Sequence, residues 1–235
     1  TTDDQKSGGF TYRLARVEGT DHSAFNLNTA TGQLSLKSQP DFETKSVYSI
    51  SVVSTDAGGK SYSKAFKISI SDANDTPSIT STSITASKED SAYSYKFAAS
   101  DVDSGDTVTY AAVTLPSWLT FDADTGVLSG TPTNSEVGTH SVVLTATDSS
   151  GAVDTQSFAI TVSNVNDTPT VTSTAVTTAK EDSAYSYTFA ASDVDTGDTI
   201  TYAATTLPSW LSIHSGTGVL SGTPTNSDVG SHSVV

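Results

Sequence analysis

A long internal repeat is the feature of this sequence that most constrains its fold. Residues 74–77 (Asn-Asp-Thr-Pro) return 92 positions later as residues 166–169, and residues 88–95 return as residues 180–187. A segment of roughly this length that recurs in tandem must bury a core of its own. The chain is therefore predicted to be an array of separate small domains.

Comparison of the repeats predicts three domains, at residues 1–75, 76–167 and 168–235. The first domain is a distant relative of the other two and aligns with the second through Asp56 and Asp148. It has no counterpart of residues 78–98, and the last domain has no counterpart of the residues after Val143. We therefore expect the first domain to be truncated on its N-terminal side and the last on its C-terminal side, where an unpaired strand edge should be exposed.

Strict alternation of apolar and polar residues in the middle repeat predicts β-strands. Tyr93, Tyr95 and Phe97 form one such run, and another begins at Phe158. Turn signals such as Asp-Thr-Gly at residues 124–126 separate the runs. We predict an all-β fold, namely tandem seven-stranded Greek-key sandwiches of the immunoglobulin type in an elongated array.

The charge of the chain is strongly acidic, because 26 Asp and Glu residues stand against 11 Lys and Arg residues, for a formal net charge of -15. Such a chain is repelled by nucleic acid and by anionic membrane surfaces, so neither is an expected partner, whereas cations are. No apolar run is long enough for a membrane helix, and no membrane insertion is expected in this sequence. The chain contains no cysteine, so disulfides do not stiffen the array.

Acidic and amide side chains collect where one repeat meets the next. The first junction reads Asp-Ala-Asn-Asp-Thr-Pro at residues 72–77. Its proline fixes the local backbone and cannot continue a strand ladder. The oxygen atoms of this linker are therefore predicted to be held in place.

These junction residues resemble the calcium motifs of cadherin repeats. The resemblance is carried by Asp-Phe-Glu at residues 41–43, by the linker at residues 72–77 and by the Asp101-Val-Asp103 pair. Glu89 stands where that family places the glutamate of its first strand. With Leu-Pro-Ser-Trp-Leu and Ser-Gly-Thr-Pro, the middle and last repeats are similar to the bacterial dystroglycan-type, Ig-like variant of cadherin-like repeats that occurs in large surface adhesins.

For the first junction, the resemblance implies that Ca²⁺ ions are bound by carboxylate, amide and backbone oxygens. The implied ligands are Asp41, Glu43, Asp72, the Ala73 carbonyl, Asn74, Asp75, Asp101, Asp103 and Asp148. Charge argues the same way, because carboxylates crowded at one junction repel one another, whereas Ca²⁺ gathers about six to eight oxygens. The alternative interpretation is that these are ordinary turn residues that bond only their own backbone.

The second junction departs from this pattern. Asp72 is replaced by Asn164, and the Asp-x-Glu motif has become Thr-Asn-Ser at residues 133–135, with Glu136 displaced by one position. The implied ligands that remain are Glu89, Asn166, Asp167, Asp193 and Asp195. Because the charge is lower, fewer or weaker Ca²⁺ ions are expected there.

The function predicted from these features is that of a calcium-binding structural and adhesion module of an extracellular cell-surface protein, secreted or anchored in an outer membrane, such as a biofilm adhesin. Ca²⁺ at the junctions would rigidify the repeats into a rod, and near-identical repeats suit a spacer that is lengthened by duplication. Cell-surface glycans and other copies of the adhesin are its expected partners. No phosphate loop, nucleophile elbow or zinc-protease motif occurs, so an enzyme is not expected.

A carbohydrate-binding module of a secreted polysaccharide-degrading protein is the alternative function. Trp118 and Trp210 could stack on sugar rings if their indole faces were exposed. Their position between Leu-Pro-Ser and Leu, in a strand-like context, favours the sandwich core instead. Adhesion by strand exchange between copies is a third alternative.

Overall fold

The computed structural model describes residues 9–235, and the regular structure in this range is almost entirely β-strand. Residues 1–8, the start of the predicted first domain, lie outside the described residues. The chain separates into two compact units: one holds the described residues up to Thr80 with Ala99–Thr109 and Ala146–Asp154, and the other holds Ser81–Ala98, Tyr110–Thr145 and Thr155–Val235. Within residues 9–235, no helix has the length and apolar character needed to cross a membrane.

In the described part of the first repeat, residues 9–75, there are five strands. They are β1 (Thr11–Leu14), β2 (Phe25–Leu27), β3 (Leu34–Leu36), β4 (Val47–Thr55) and β5 (Ser61–Ser69). An antiparallel sheet has the order β1-β4-β5, and β2 pairs separately with β3. Among its described residues, the buried apolar side chains are those of Phe25, Ile50 and Val53. Phe25 packs edge-on against Tyr48, with 5.6 Å between the ring centroids.

The middle repeat contains nine strands. They are β6 (Ser78–Ile79), β7 (Ala86–Lys88), β8 (Tyr93–Lys96), β9 (Ala99–Ser100), β10 (Thr109–Thr114), β11 (Leu119–Asp122), β12 (Val127–Gly130), β13 (Gly138–Thr147) and β14 (Val153–Ser163). One sheet has the order β10-β13-β14-β7 and a second has the order β11-β12-β8, while the short strands β6 and β9 pair with each other. The two sheets together contain seven strands, which confirms the fold predicted from the sequence.

The core of the middle repeat is formed by the apolar side chains at alternating positions of its strands. Tyr93, Tyr95 and Phe97 are 5%, 3% and 0% exposed, and desolvation raises the pKa of Tyr93 to about 12. Leu144 of β13 and Ile160 of β14 are fully buried in the other sheet. Each such side chain contributes roughly 1.5–3 kcal/mol when it is removed from water, so this apolar layer is what stabilises the sandwich.

The last repeat keeps one of these two sheets. Its strands are β15 (Thr170–Val171), β16 (Tyr185–Thr188), β17 (Ala191–Ser192), β18 (Leu211–Ile213) and β19 (Val219–Gly222). The order β16-β19-β18 repeats the order β8-β12-β11. Residues 201–206 and 230–235, which correspond to β10 and to the start of β13, are not strands. Tyr185 is half-buried, whereas its counterpart Tyr93 in the middle repeat is buried.

A close backbone approach explains why β12 and β19 both end in glycine. A Cβ atom at Gly130 would lie 2.0 Å from the Trp118 carbonyl oxygen, and one at Gly222 would lie 1.8 Å from the Trp210 carbonyl oxygen. No side chain can be accommodated at such distances, so the backbone itself must move if one is introduced.

The substitution Gly130→Ala is expected to destabilise the chain by about 1–3 kcal/mol, because the added methyl group must push the Trp118 backbone away. Ser129→Ala, at the preceding position of β12, is the matched control and should change the free energy of unfolding by less than about 0.5 kcal/mol. Differential scanning calorimetry of both variants and the unmodified chain measures the shifts. An unchanged melting temperature for Gly130→Ala would contradict the close approach.

Candidate metal centres

Among the described residues 9–235, four groups of three carboxylates lie close enough together to share a cation. In each group, one ligand oxygen per residue lies within 4.8 Å of the other two, and two ligands of one Ca²⁺ ion can be separated by up to about 5 Å. The first-junction cluster comprises Glu43, Asp75 and Asp103 with Asp101, Asp106 and Asp148. The second-junction cluster comprises two groups that share Asp195. They are Glu89, Asp167 and Asp195, and Asp193, Asp195 and Asp198. The first-junction cluster lies within the first compact unit, and the second-junction cluster lies within the second.

Backbone hydrogen bonds shape the first-junction cluster. The Asp75 N–H donates to Asp103 Oδ2 at 2.8 Å, and the Asp103 N–H donates to Asp101 Oδ1 at 3.0 Å. The other two oxygens, Asp101 Oδ2 and Asp103 Oδ1, are buried and have no hydrogen-bond partner. The linker therefore holds two carboxylate oxygens out of water with their lone pairs available to a cation.

Asp148 connects the linker to the turn after β13. Its Oδ2 accepts a hydrogen bond from Asn74 Nδ2 at 2.8 Å, and its Oδ1 accepts the N–H groups of Ser150 and Ala152 at 2.9 and 2.8 Å. The Asn74 bond is the largest influence on the pKa of Asp148 and lowers it, although desolvation opposes the shift. Asp148 is only 5% exposed, so the cluster contains a charged carboxylate that is almost fully buried.

Asp106 belongs to this cluster and was missed by sequence reasoning. Its Oδ1 accepts a hydrogen bond from Ser149 Oγ at 2.7 Å, while its Oδ2 is buried without a partner. The sequence feature that could have identified Asp106 is its position three residues after Asp103, in a Ser-Gly-Asp turn that indicates a strand connection. Asp198 is the counterpart of Asp106 in the last repeat and was also missed. It belongs to the second-junction cluster.

Four residues predicted for the first junction, namely Asp41, Asp72, Ala73 and Asn74, lie outside these groups of carboxylates. Asp41 accepts hydrogen bonds from the Thr44 hydroxyl at 2.7 Å and the Thr44 N–H at 3.1 Å, and these bonds lower the pKa of Asp41. Asp72 and Ala73 are exposed in the linker.

A hydrogen bond from its own backbone lowers the pKa of Glu43, but desolvation and nearby charges, that of Asp72 among them, outweigh it and raise that pKa.

Glu89 is the deepest carboxylate of the second-junction cluster, with 0% exposure. It follows β7, where its N–H donates to the Ser163 carbonyl at 3.1 Å and extends the parallel pairing of β7 with β14. Oε1 accepts the Val165 N–H, and Oε2 has no hydrogen-bond partner. Burial of a carboxylate is costly unless an opposite charge or further hydrogen bonds compensate it.

Asp167 and Asp195 complete the group around Glu89 with the geometry of the first junction. The Asp167 N–H donates to Asp195 Oδ2 at 2.7 Å, and the Asp195 N–H donates to Asp193 Oδ1 at 3.0 Å. Desolvation, followed by the charge of Asp195, raises the pKa of Asp167. Asn166 Nδ2 donates to the Asp167 carbonyl at 2.9 Å and fixes the linker. Crowded carboxylates thus recur at the second junction.

An amide enters the second-junction cluster from the segment that corresponds to Asp-x-Glu in the first repeat. Asn134 Nδ2 donates to Asp195 Oδ1 at 3.0 Å and to Asn164 Oδ1 at 3.4 Å. Glu136, the displaced glutamate, accepts the Thr133 N–H at 2.8 Å and the Thr133 hydroxyl at 2.7 Å, which closes a local turn. The amide therefore satisfies one oxygen of Asp195 where a carboxylate would add charge.

Neither cluster is neutralised by a basic side chain. Within the described residues 9–235, none of the grouped carboxylates forms an ion pair with Lys or Arg. The groups contain only Asp and Glu, so every side-chain donor in them is oxygen. An irregular, oxygen-only and highly charged set of donors suits Ca²⁺, which accepts flexible coordination, better than metals that prefer nitrogen or sulfur.

The tryptophans pack against neighbouring rings. Trp118 meets Tyr93 edge-on, with 5.8 Å between ring centroids, and meets His140 at 6.0 Å. Trp210 has the equivalent arrangement in the last repeat. Both indole Nε1 atoms are buried and have no hydrogen-bond partner. This packing supports the core interpretation of the two residues over a flat sugar-stacking platform.

This chain is similar to one protein family and to several individual proteins. The Putative Ig domain family matches residues 76–163 and 168–235. The chain is 36% identical over 131 residues to the "Serine-rich adhesin for platelets" of Staphylococcus aureus strain USA300, a match that covers 55% of this chain and 6% of that protein. The adhesin of the same name in strain MRSA252 is 37% identical over 122 residues, covering 51% of this chain and 9% of that protein. The chain thus spans only a small part of these relatives.

Cadherin ectodomains are among the solved structures with a similar fold. Extracellular cadherin domains 3-6 of Protocadherin Gamma B2 have a TM-score of 0.62 at 22% identity, over 92% of this chain and 57% of that chain. Human CDH23 EC21-23 has a TM-score of 0.60 at 20% identity, over 92% of this chain and 79% of that chain. The structural likeness shows a shared cadherin-like fold, and since the family match covers more than half of the chain, the protein belongs to the Putative Ig domain family.

Proposed function

We propose that this chain is a calcium-binding structural module of a cell-surface adhesin, in which Ca²⁺ at the junctions between repeats stiffens the array. The observation that carries the proposal is the burial of Glu89. Glu89 is 0% exposed, its Oε2 has no hydrogen-bond partner, and one of its two carboxylate oxygens lies within 4.8 Å of ligand oxygens of Asp167 and Asp195. A bound cation compensates a buried carboxylate that faces two others.

The buried oxygens without partners support the fit of Ca²⁺ to both clusters. They are Glu89 Oε2, Asp101 Oδ2, Asp103 Oδ1 and Asp106 Oδ2. When bound, Ca²⁺ supplies a positive charge that about six to eight oxygens share. The carboxylates of the first-junction cluster would provide part of this coordination, and the linker residues Asp72, Ala73 and Asn74 would provide side-chain and carbonyl oxygens.

The composition of the first-junction cluster supports a mechanical role for the ion. Glu43 belongs to the first repeat, Asp75 to the linker and Asp103 to the middle repeat, yet their ligand oxygens lie within 4.8 Å of one another. A cation bound to all three restrains the linker on both sides. Without the cation, the carboxylates repel one another and the linker is free to bend.

The two clusters are proposed to bind calcium with different strength. Asp148 closes the first-junction cluster through its bond to Asn74, whereas Asn134 gives the second-junction cluster an amide where the first repeat offers carboxylates. Affinity of such sites depends on the charge count and rigidity of the ligands. As calcium rises, the first junction should therefore stiffen before the second.

The similarity to staphylococcal adhesins supports a location at the cell surface or outside the cell, and a structural role rather than a catalytic one. Extracellular calcium modules commonly have dissociation constants of about 10⁻⁴ to 10⁻³ M. Calcium in that range would keep the repeats stiff and project the adhesin towards its partners, which include other copies of the adhesin and cell-surface glycans.

Calcium is expected to raise the melting temperature, and Asp103→Asn is expected to remove most of the gain from the first-junction cluster. About 10 mM calcium should add about 1.4–2.7 kcal/mol per filled site if the dissociation constant is about 10⁻⁴ to 10⁻³ M. Asp124→Asn, in an exposed turn outside all four groups, is the matched control. Calorimetry with calcium and with EDTA provides the measurement, and identical curves in the two conditions would exclude calcium binding.

The substitution Asn134→Asp is expected to lower the stability of the chain in EDTA and to increase the stabilisation that calcium produces. It replaces the amide donor to Asp195 with a carboxylate, so in EDTA the loss of a charge-assisted hydrogen bond should cost about 1.5 kcal/mol or more. With calcium, the extra ligand should return part of this loss. Asn226→Asp, at the same position of the next repeat and exposed, is the control. A calcium response equal to that of the unmodified chain would remove Asn134 from the second junction.

Calcium should change the shape of the chain more than its secondary structure, because the apolar cores do not contain the clusters. Small-angle X-ray scattering during a calcium titration should show a longer or better-defined maximum dimension, while far-UV circular dichroism stays nearly constant. The change should be complete at about ten times the millimolar dissociation constant. Superimposable scattering curves in EDTA and in calcium would argue against stiffening of the junctions.

A further inference from the structure

Strand β10 (Thr109–Thr114) forms an open edge of the larger sheet of the middle repeat. It stands first in the order β10-β13-β14-β7, so among the described residues 9–235 only β13 lies beside it in the sheet. Alternate backbone groups of an edge strand point away from its neighbour and can pair with another strand. On the inner face, Tyr110 packs edge-on against Phe97 with 5.2 Å between ring centroids. The core therefore holds this edge in place.

The other edges of the two sheets that form this sandwich contain charged side chains. The middle repeat is described throughout, and these edges are β7 with Lys88, β8 with Lys96 and β11 with Asp122. The three strands are also short, with three or four residues each. Charge and short length both discourage pairing with another chain. Strand β10 has six residues, Thr-Tyr-Ala-Ala-Val-Thr, and none is charged. It is the one edge of these four that lacks both protections.

The surface around this edge is apolar and neutral. Val113 is 66% exposed, the largest value among the large apolar side chains of the middle repeat. The Thr145 hydroxyl of β13 donates to the Ala111 carbonyl at 3.5 Å, which places the outward positions of β13 next to those of β10. Ser141 and Val143, which precede Thr145 on the same face of β13, are also uncharged. In a chain with a formal net charge of -15, this is a surface where like-charged molecules meet with little repulsion.

We propose that β10 is a contact strand through which two copies of this chain pair edge to edge and join their sheets. An antiparallel pair of identical strands is related by a two-fold axis, so one strand supplies both halves of the contact. Residues opposite each other in such a pair lie on the same face of the sheet. Val113 would therefore face Thr109 or Ala111 of the second copy, and small or β-branched side chains pair well across strands.

The charge of the edge favours a second copy over a basic partner. A basic protein would be drawn to the carboxylate clusters of this acidic chain, whereas β10 offers it no opposite charge. None of the residues of β10 belongs to a carboxylate group. The contact should therefore form in EDTA as well as in calcium, and it does not rest on the proposed calcium function.

A single contact of this kind is weak. A six-residue strand is about 20 Å long, so edge pairing alone buries much less than the roughly 1,200 Å² of a stable interface. Tandem repeats compensate for this weakness, because several weak contacts between the same two molecules act together and raise the avidity. Such a contact suits adhesin molecules that stand side by side on one surface.

Sedimentation equilibrium of the 235-residue chain in EDTA, at concentrations from about 10 µM to about 1 mM, tests the proposal. We expect a reversible dimer in the unmodified chain. Val113→Lys should weaken it at least about tenfold, because a lysine protects an edge and the two-fold axis brings two lysines close together. Val137→Lys is the matched control, since Val137 is 41% exposed and lies outside the strands. Both substitutions change the net charge equally, so only a local effect separates them.

Hydrogen–deuterium exchange of residues 109–114 in the unmodified chain provides a measurement that needs no variant. These amides should exchange more slowly at about 1 mM than at about 10 µM, because pairing protects them. A chain that stays monomeric in EDTA over this range would overturn the proposal. Equal dimerisation of Val113→Lys and Val137→Lys, or exchange of residues 109–114 that does not depend on concentration, would also overturn it. A dimer that appears only with calcium would place the contact at the carboxylate clusters instead.

Discussion

The burial of carboxylates without basic partners is the constraint on which both junctions depend. Glu89 has an oxygen that no hydrogen bond satisfies, and Asp101 and Asp103 each have another. In a chain with 26 acidic and 11 basic residues, side-chain charge within the described residues does not offset these groups. Packing of the sandwiches draws the carboxylates together, and on the proposed account a divalent cation would make the arrangement stable. The same ion would thus compensate the buried negative charge and stiffen the array.

The linker reproduces its geometry wherever the sequence repeats. The bond from the Asp75 N–H to Asp103 at 2.8 Å returns as the bond from the Asp167 N–H to Asp195 at 2.7 Å. The junctions differ where the sequence has diverged, because Asn134 brings an amide into the second cluster. A tandem array can in this way keep the same linker at each junction while the segment around residue 134 changes the charge of the cluster beside it.

The strands of the middle repeat follow from its sequence because alternation decides which side chains enter the core, as Tyr93, Tyr95 and Phe97 illustrate. The grouping of these carboxylates was predicted only through the family resemblance, since spacing alone does not show which turns meet. Asp106 escaped notice because a Ser-Gly-Asp turn usually has no further role. Asp41 lies outside the groups because a bond to Thr44, three residues away, satisfies it locally. Short-range hydrogen bonds of this kind compete with long-range ones, and sequence pattern does not decide between them.

Counting the calcium ions bound to the chain is the most direct test of the central claim. Equilibrium dialysis against radioactive calcium should show saturable binding of at least one ion per cluster, with dissociation constants of about 10⁻⁴ to 10⁻³ M. Glu89→Gln should remove binding from the second-junction cluster and leave the first unchanged, because Glu89 belongs only to the second. Calcium content no higher than that of a dialysed control protein would contradict the account, and Glu89 would then be a buried carboxylate with no cation to compensate it.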